Sequence, residues 1–275
     1  MKPVVPVPVR TIERGLDQSH LDVLAVEEPL EIRINGMAVS ITMRTPGNDA
    51  QLAAGYLFAE GVLRSPADIA GIWEPARNTV ELVLCPDADV DFERLNRRFN
   101  ITSACGVCGK ASLEALEMAG CPVLPQESPM IDAEILHGLP ETLREVQSLF
   151  EQTGGLHASA LFDFEGRLHS VREDVGRHNA LDKLVGAEFL AERTPLSDRM
   201  LLVSGRASYE LIQKALMAGI PAVVAVGAPS SMAVELARRC RMTLVGFLRR
   251  HRFNVYSGAS RIRLTPSVEP TEPIM

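Results

Sequence analysis

Two cysteines three residues apart, Cys105 and Cys108, are the side chains of this chain best suited to covalent chemistry. Each is followed directly by a glycine, and a helix is predicted to begin at Ala111. The glycines give the loop mobility and access, and a helix N-terminus favours the thiolate over the thiol. The pattern therefore predicts an exposed, reactive cysteine thiolate.

The cysteine pair is also compatible with a zinc site or a redox-active dithiol. A zinc knuckle needs a second pair, whereas Cys85, Cys121 and Cys240 are single and unevenly spaced. A thioredoxin-like dithiol usually follows the first strand of a βαβ unit, while this pair follows a polar loop late in a mixed region. The odd total of five cysteines disfavours a disulfide framework and favours reduced thiols.

A run of arginines near the C-terminus forms a second group of candidate residues. Residues 236–264 contain eight arginines and no Asp or Glu, although the formal net charge of the chain is −7. Three of these arginines follow a strand predicted over residues 243–248; they are Arg249, Arg250 and Arg252. Because open α/β sheets bind ligands at the carboxyl ends of parallel strands, we expect these three to bind phosphate. Arg238 and Arg239 are expected on a solvated helix face.

Two further segments combine a strand, a Gly/Ser turn and a helix start. The first strand ends in Ser204-Gly205-Arg206, and the second is followed by Gly227-Ala228-Pro229-Ser230. Backbone N–H groups at such helix N-termini are ready anion sites, although any βα loop also needs a glycine and a serine cap. Together with the arginines, these turns predict a nucleotide or pyrophosphate site.

Histidines and charged residues in the second half of the chain add a fourth group. His157 begins a predicted strand, as a ligand does in zinc deaminases. Those enzymes need a glutamate two residues later, where this chain has Ser159, and a later Pro-Cys-x-x-Cys, which this chain does not contain. No metal site is therefore predicted. Asp174 is expected to cap the next helix, whereas Arg177, His178 and Lys183 exceed what capping requires.

The elements that must position these residues fall into two predicted domains, 1–128 and 129–275. The first is predicted to be α+β. Polarity alternates on both sides of Asn35-Gly36, which is the strongest short signal for a β-hairpin, and a helix is predicted to follow over residues 50–60. The residues up to Val23 are expected to pack as an arm or to remain partly mobile.

The second domain is predicted to be α/β. It begins with one long helix from Asp132 to Thr153 and then alternates strands and helices. The predicted strands cover residues 158–164, 168–171, 200–204, 222–226 and 243–248, and the predicted helices cover 179–185, 208–218 and 230–240. This alternation predicts helices packed on both faces of a largely parallel sheet.

The composition is that of a folded protein, with 275 residues of which 46% are hydrophobic and 23% charged. The net negative charge disfavours binding to nucleic acid or to an anionic membrane surface. The longest apolar run is far shorter than the roughly 20 residues of a membrane helix, and the alternating prolines after Met1 are unlike a signal peptide. We therefore expect a cytoplasmic protein with no nucleic-acid or membrane partner.

Taken in order, these segments resemble the FdhD/NarQ family of accessory sulfurtransferases, which are required for formate dehydrogenase activity. The similarity runs from the Asn35-Gly36 hairpin to Tyr256. The segments that carry it are SACGVCG (103–109), TGGLHA (153–158), EDVGRHNALDK (173–183), SGRASYE (204–210), and LVGF (244–247) leading into NVY (254–256). Each segment alone is unspecific, whereas the combination is highly specific.

The resemblance implies that a cysteine desulfurase supplies sulfur, which the Cys-x-x-Cys loop carries as a persulfide. The acceptor would be a molybdenum or tungsten bis-guanine-dinucleotide cofactor, with the formate dehydrogenase catalytic subunit as the client. The resemblance also implies a homodimer and a three-layer, cytidine-deaminase-like second domain without catalytic zinc. That domain would bind the cofactor, or GDP as a mimic of its ends.

The segment matched to cofactor binding is Phe247-Leu248-Arg249-Arg250-His251-Arg252. In the family a glycine often stands in the place of His251, so the local backbone conformation is open here. The other candidate residues for cofactor binding are Ser204, Gly205, Arg206, His157, Arg177 and His178.

Two alternative functions remain beside the transferase. A non-catalytic chaperone that only binds and hands over the cofactor needs neither Cys105 nor Cys108. A dithiol oxidoreductase needs both as a redox pair, and a transferase needs at least one. The sequence does not decide which of the two cysteines carries the terminal sulfur.

Overall fold

The computed structural model describes residues 2–88, 90, 121–125 and 129–264. Cys105 and Cys108, the helix predicted to begin at Ala111, and the predicted domain boundary near Ser128 lie outside the described residues. Within the described ranges the chain forms six α-helices and four β-sheets.

The N-terminal arm is a regular two-stranded ribbon. Strands β1 (Val4–Glu13) and β2 (Leu16–Ala25) pair antiparallel along their whole length and turn at Arg14-Gly15, where both residues have positive φ. Most of its side chains are exposed to solvent. The prolines of β1 are tolerated because each strand of a two-stranded sheet has one free edge.

A four-stranded sheet and one helix follow. The strands are β3 (Glu28–Ile34), β4 (Met37–Arg44), β5 (Ile69–Ala76) and β6 (Thr79–Leu84), in the spatial order β4-β3-β6-β5. Asn35 and Gly36 both have positive φ, as a two-residue type I′ turn requires, so the predicted hairpin is confirmed. Helix α1 (Asp49–Ala59) packs Leu52 and Leu57 into the core beneath this sheet.

Two helices replace the single long helix predicted over 132–153. A short strand β7 (Ile131–Asp132) leads into α2 (Ala133–Val146), and α3 (Ser148–Thr153) follows. The break lies at Gln147, whose ψ of 67° is not helical. The Glu173 carboxylate accepts hydrogen bonds from the backbone N–H groups of Leu149 and Phe150, which satisfies donors at the start of α3.

The second large sheet has six strands, in the spatial order β13-β12-β11-β10-β8-β9. These strands are β8 (His157–Phe162), β9 (Leu168–Asp174), β10 (Met200–Val203), β11 (Ala222–Ala225), β12 (Thr243–Arg249) and β13 (Arg252–Ser257). Of its five strand pairings only β10–β11 and β11–β12 are parallel, so the sheet is mixed and not largely parallel as predicted. The tight turns between β8 and β9 and between β12 and β13 require antiparallel pairing.

Helices cover both faces of the six-stranded sheet, as predicted. Helices α4 (Arg177–Leu190), α5 (Tyr209–Met217) and α6 (Ser231–Arg239) share one apolar core with the sheet, and α2 packs on the opposite face. A last short strand, β14 (Ile262–Arg263), pairs with β7, and 3-10 turns cover Pro66–Asp68 and Ala259–Arg261. Helix α1 packs against α4, which joins the four-stranded sheet to the larger one.

Candidate functional site

One edge of the six-stranded sheet gathers most of the candidate residues. The parallel strands β10, β11 and β12 end there, and the antiparallel strands β8 and β13 begin there. This edge therefore receives His157 from β8, the turn Ser204-Gly205-Arg206 after β10, and the arginines around the β12–β13 turn. The two Gly/Ser turns and the arginines were expected at the carboxyl ends of parallel strands, and the topology places them there; His157 joins them because β8 runs in the opposite direction.

Backbone hydrogen bonds link Gly205, Gly227 and Phe247 into a continuous strip of main chain at this edge, which we call the ledge. The N–H of Gly227 donates to the carbonyl of Gly205 over 2.8 Å, and the N–H of Phe247 donates to the carbonyl of Gly227 over 3.0 Å. A Cβ on Gly227 would lie 2.8 Å from that Gly205 oxygen, so no other residue fits without a shift. A ligand lying over the ledge would therefore meet main chain at this point.

A cationic cluster lies at the β8 end of the ledge. The half-buried His157 has a lowered pKa because of burial and because the charges of Arg177 and Arg206 act on it. The Nε of Arg177 is buried and has no hydrogen-bond partner among the described residues. An unpaired guanidinium donor beside a second arginine is suited to an anion.

His178 stands at the start of α4 and contacts the start of α5. Its Nε2 lies 3.1 Å from the Ser208 hydroxyl and 3.1 Å from a carboxylate oxygen of Glu210. Burial, aided by the charges of Arg177 and Lys214, lowers the pKa of His178 to about 3. The imidazole is therefore neutral at physiological pH.

Asp174 anchors the start of α4 from the end of β9. The prediction that Asp174 caps this helix is wrong, because the N-cap residue is Gly176. The buried Asp174 carboxylate instead accepts hydrogen bonds from the backbone N–H groups of Gly176 and Thr45, and it pairs with Lys183 over 2.6 Å. Lys183 also donates to the carbonyl of Thr45. This network ties the end of β4 to the helix that presents Arg177 and His178.

The arginine-rich turn between β12 and β13 lies at the other end of the ledge. Arg250, His251 and Arg252 are exposed, as a ligand site requires. Arg249 directs Nη1 to the carbonyls of Val226 and Leu248, so this guanidinium braces the ends of β11 and β12. Three strand spacings of about 4.8 Å separate β12 from β8, so the ends of these two strands lie about 14 Å apart.

Two residues of the predicted binding segment have contrasting roles. Leu248 is only 1% exposed and belongs to the core, so its side chain is not available to a ligand. Phe247 is 38% exposed and has a φ of 53°, in the left-handed region that bulky residues avoid. Such strain is found at functional sites, where surrounding structure maintains it.

Several site residues were not predicted as such from the sequence. Ser208 and Glu210 fix His178, and Thr45 fixes Asp174, through contacts between segments that are distant in the chain. Arg238 is exposed on α6, as predicted, and it also donates from Nε to the carbonyl of Tyr256. Serine and glutamate at the start of a helix are ordinary capping residues, so their types alone gave no signal.

Among the described residues, no group of three or more His, Cys, Asp and Glu side chains is arranged to hold a metal ion. In the same part of the chain, no helix combines the length and apolar character needed to span a bilayer.

Comparison with known proteins gives consistent matches over nearly the whole chain. The model of the FdhD/NarQ family matches residues 25–263. The sulfur carrier protein FdhD of Streptomyces coelicolor is 49% identical over 267 residues, covering 94% of this chain and 95% of that protein. The sulfur carrier protein FdhD of Sulfolobus acidocaldarius is 41% identical, covering 94% and 98% respectively.

The fold is also similar to a solved structure. A crystal structure from Desulfotalea psychrophila, named as that of a formate dehydrogenase accessory protein, superposes with a TM-score of 0.76. The match covers 95% of this chain and 100% of the other, at 24% identity. This comparison supports the arrangement of sheets and helices described above.

Proposed function

Because the chain belongs to the FdhD/NarQ family, we propose that it is a sulfurtransferase that supports a formate dehydrogenase. Membership of the family supports the transfer of sulfur, and the observation that supports binding of its acceptor is the sheet edge, which combines an unpaired buried arginine nitrogen, neutral histidines and exposed arginines beside a main-chain ledge. Such an edge suits a large anionic ligand with phosphate groups. The proposed ligand is a molybdenum or tungsten bis-guanine-dinucleotide cofactor, bound as substrate.

The sulfur is proposed to arrive from the persulfide of a cysteine desulfurase. A thiolate of the pair Cys105 and Cys108 attacks the terminal sulfur of that persulfide, and the bond between its two sulfurs breaks. The desulfurase leaves as a thiolate, and the terminal sulfur is now a persulfide on this chain, so no external oxidant is needed. The proton of the persulfide travels with the transferred sulfur.

Release of the sulfur to the cofactor uses the second cysteine. Its thiolate attacks the inner sulfur of the persulfide, a disulfide forms between Cys105 and Cys108, and hydrosulfide leaves for the metal. The two electrons on the hydrosulfide come from the thiol pair, and a small-molecule or protein dithiol then reduces the disulfide. This step gives each cysteine a role.

Two partners and a homodimer complete the proposal. The cysteine desulfurase must reach the Cys-x-x-Cys loop, and the catalytic subunit of the dehydrogenase must receive the cofactor. The principal alternative is a chaperone that binds the cofactor without transferring sulfur, because the same sheet edge would serve it equally well.

The test is the intact mass of the protein after incubation with a cysteine desulfurase and cysteine. We expect a gain of one sulfur atom that a thiol reductant removes, and no gain in a variant that lacks both Cys105 and Cys108. Binding of GDP with no gain of sulfur would contradict the transferase and favour the chaperone.

Binding is tested separately with nucleotides. We expect GDP to bind in the micromolar range, to bind more weakly as salt increases, and to outcompete ADP. Equal affinities for GDP and ADP in calorimetry would indicate a general anion site without base recognition.

A further inference from the structure

The surroundings of His178 determine which of its ring nitrogens carries the proton. Nε2 lies 3.1 Å from Oε2 of Glu210 and 3.1 Å from Oγ of Ser208. An ionised carboxylate only accepts hydrogen bonds, so the nitrogen facing Glu210 must be the donor. In a neutral imidazole the other nitrogen, Nδ1, then holds the lone pair.

Ser208 contacts His178 and does not cap its own helix. It occupies the N-cap position of α5, where serine usually accepts a hydrogen bond from the first turn. Its side chain makes no such cap bond and contacts His178 instead. For comparison, Ser230 at the N-cap of α6 accepts a hydrogen bond from the N–H of Ala233. Ser208 therefore positions His178, whereas Ser230 caps α6.

The charged groups around the ring keep it neutral. Arg177 is its neighbour on α4, Lys214 faces it from α5 and His157 from β8, and each disfavours a proton on His178. The Glu210 carboxylate acts in the opposite direction, but burial and the cations prevail. The side chains of His178 and Glu210 are 28% and 21% exposed, so solvent screens the contact only in part.

We propose that Glu210 and Ser208 are positioning residues that hold His178 as the Nε2-protonated tautomer, so that Nδ1 accepts a hydrogen bond from an N–H or O–H group of the bound guanine nucleotide or cofactor. This inference rests on the proposed function and specifies its ligand. The other groups at this end of the ledge, Arg177 and Arg206, are donors that take anionic oxygens. Because Nδ1 of His178 accepts a hydrogen bond where Arg177 and Arg206 donate, this end of the ledge favours a ligand in which a hydrogen-bond donor lies next to an anionic group.

The tautomer is measured directly on the unliganded protein. Long-range ¹H–¹⁵N NMR spectra of the labelled protein, assigned with a His178→Gln variant, distinguish the two ring nitrogens. We expect the Nε2-protonated form, unchanged between pH 5 and 8. An Nδ1-protonated ring, or a ring that gains a proton near pH 6.5, would overturn the proposal.

The effect of Glu210 on ligand selection is measured with two probes. A glutamine at position 210 both donates and accepts, so we expect Glu210→Gln to give comparable amounts of the two tautomers and to weaken GDP binding about 2-fold, because only the Nε2-protonated fraction then offers Nδ1 as an acceptor. Binding of pyrophosphate, which has no base or sugar donor, should be unchanged. The matched control is Glu235→Gln on the exposed side of α6, which should affect neither probe.

Ser208→Ala provides a second variant, which should lose part of the native tautomer signal and of the GDP affinity. Ser208→Thr keeps the hydroxyl and should restore both. Equal losses for GDP and pyrophosphate in Glu210→Gln would show a general structural role and overturn the proposal. A native protein with the expected tautomer but no affinity for GDP would refute the proposed function, while the positioning role of Glu210 would stand on the spectra.

Discussion

Gly55 of α1 and Gly186 of α4 lie against each other where the two helices cross. A Cβ on Gly55 would be 1.9 Å from the carbonyl oxygen of Asp182, and a Cβ on Gly186 would be 1.9 Å from that of Gln51. The two backbones therefore touch at a distance that excludes any side chain. This crossing fixes the four-stranded sheet, through α1, to the helix that begins with Arg177 and His178.

Gly55→Ala should destabilise the protein by about 2 kcal/mol or more, because the helices must separate to admit the methyl group. Urea denaturation followed by circular dichroism measures the change. The matched control is Gly138→Ala in α2, where a Cβ meets nothing within 4 Å; it should stabilise by about 0.5–1 kcal/mol. Similar small effects of both changes would contradict the close crossing.

Acidification should destabilise the protein through His157 and His178. Their pKa values are lowered in the folded state, so below about pH 6.5 the unfolded chain binds protons that the folded chain does not. Stability contributed by the neutral rings is thus present above pH 6.5 and decreases as the pH falls. For His178 the loss is at most about 2 kcal/mol between pH 6.5 and 5.

The measurement is urea denaturation at several pH values. The variant His178→Gln should show a smaller loss of stability on acidification than the native protein does. Changing the exposed His20 of the arm to Gln should leave the slope as it is. A native slope identical to that of His178→Gln would contradict the assignment of a neutral ring.

Arg252→Lys should weaken GDP binding although the charge is kept. The exposed guanidinium at the start of β13 can donate two parallel hydrogen bonds to a phosphate, which lysine cannot reproduce. We expect a loss of roughly 1–3 kcal/mol, measured by calorimetry at one salt concentration.

The control for this change is Arg263→Lys. Arg263 belongs to the same arginine-rich segment but lies on β14, with its side chain 64% exposed and 3.7 Å from Asp132. Arg238 is a poorer control because it donates to the carbonyl of Tyr256. Equal losses in Arg252→Lys and Arg263→Lys would show that only the diffuse positive field matters.

Changing Cys105 or Cys108 to alanine, and certainly both, should abolish activity of the client formate dehydrogenase. The sequence predicts a glycine-flanked loop at these positions, so we expect stability and GDP affinity to be nearly unchanged. Dehydrogenase activity in cells that carry each variant is the measurement, and Cys85→Ala is the control. Active dehydrogenase from the double variant would refute the transferase.

The sequence by itself determined the elements whose signals are local. Asn35-Gly36 specified a type I′ hairpin because both turn residues tolerate positive φ. Hydrophobic periodicity and turn residues also predicted the alternation of β10, α5, β11, α6 and β12. This alternation placed Ser204-Gly205-Arg206 and the later arginines at one edge of a sheet.

Only the tertiary structure decided how those elements combine into a site. Strand direction in β8 and β13, the break at Gln147 and the burial of Leu248 depend on neighbours far along the chain. The same holds for the pairing of His178 with Glu210 and of Asp174 with Thr45, which join segments 32 and 129 residues apart, counted from the residue numbers. Hydrophobic periodicity reports which face of an element is buried, whereas a hydrogen bond between two distant side chains exists only once packing has set their distance.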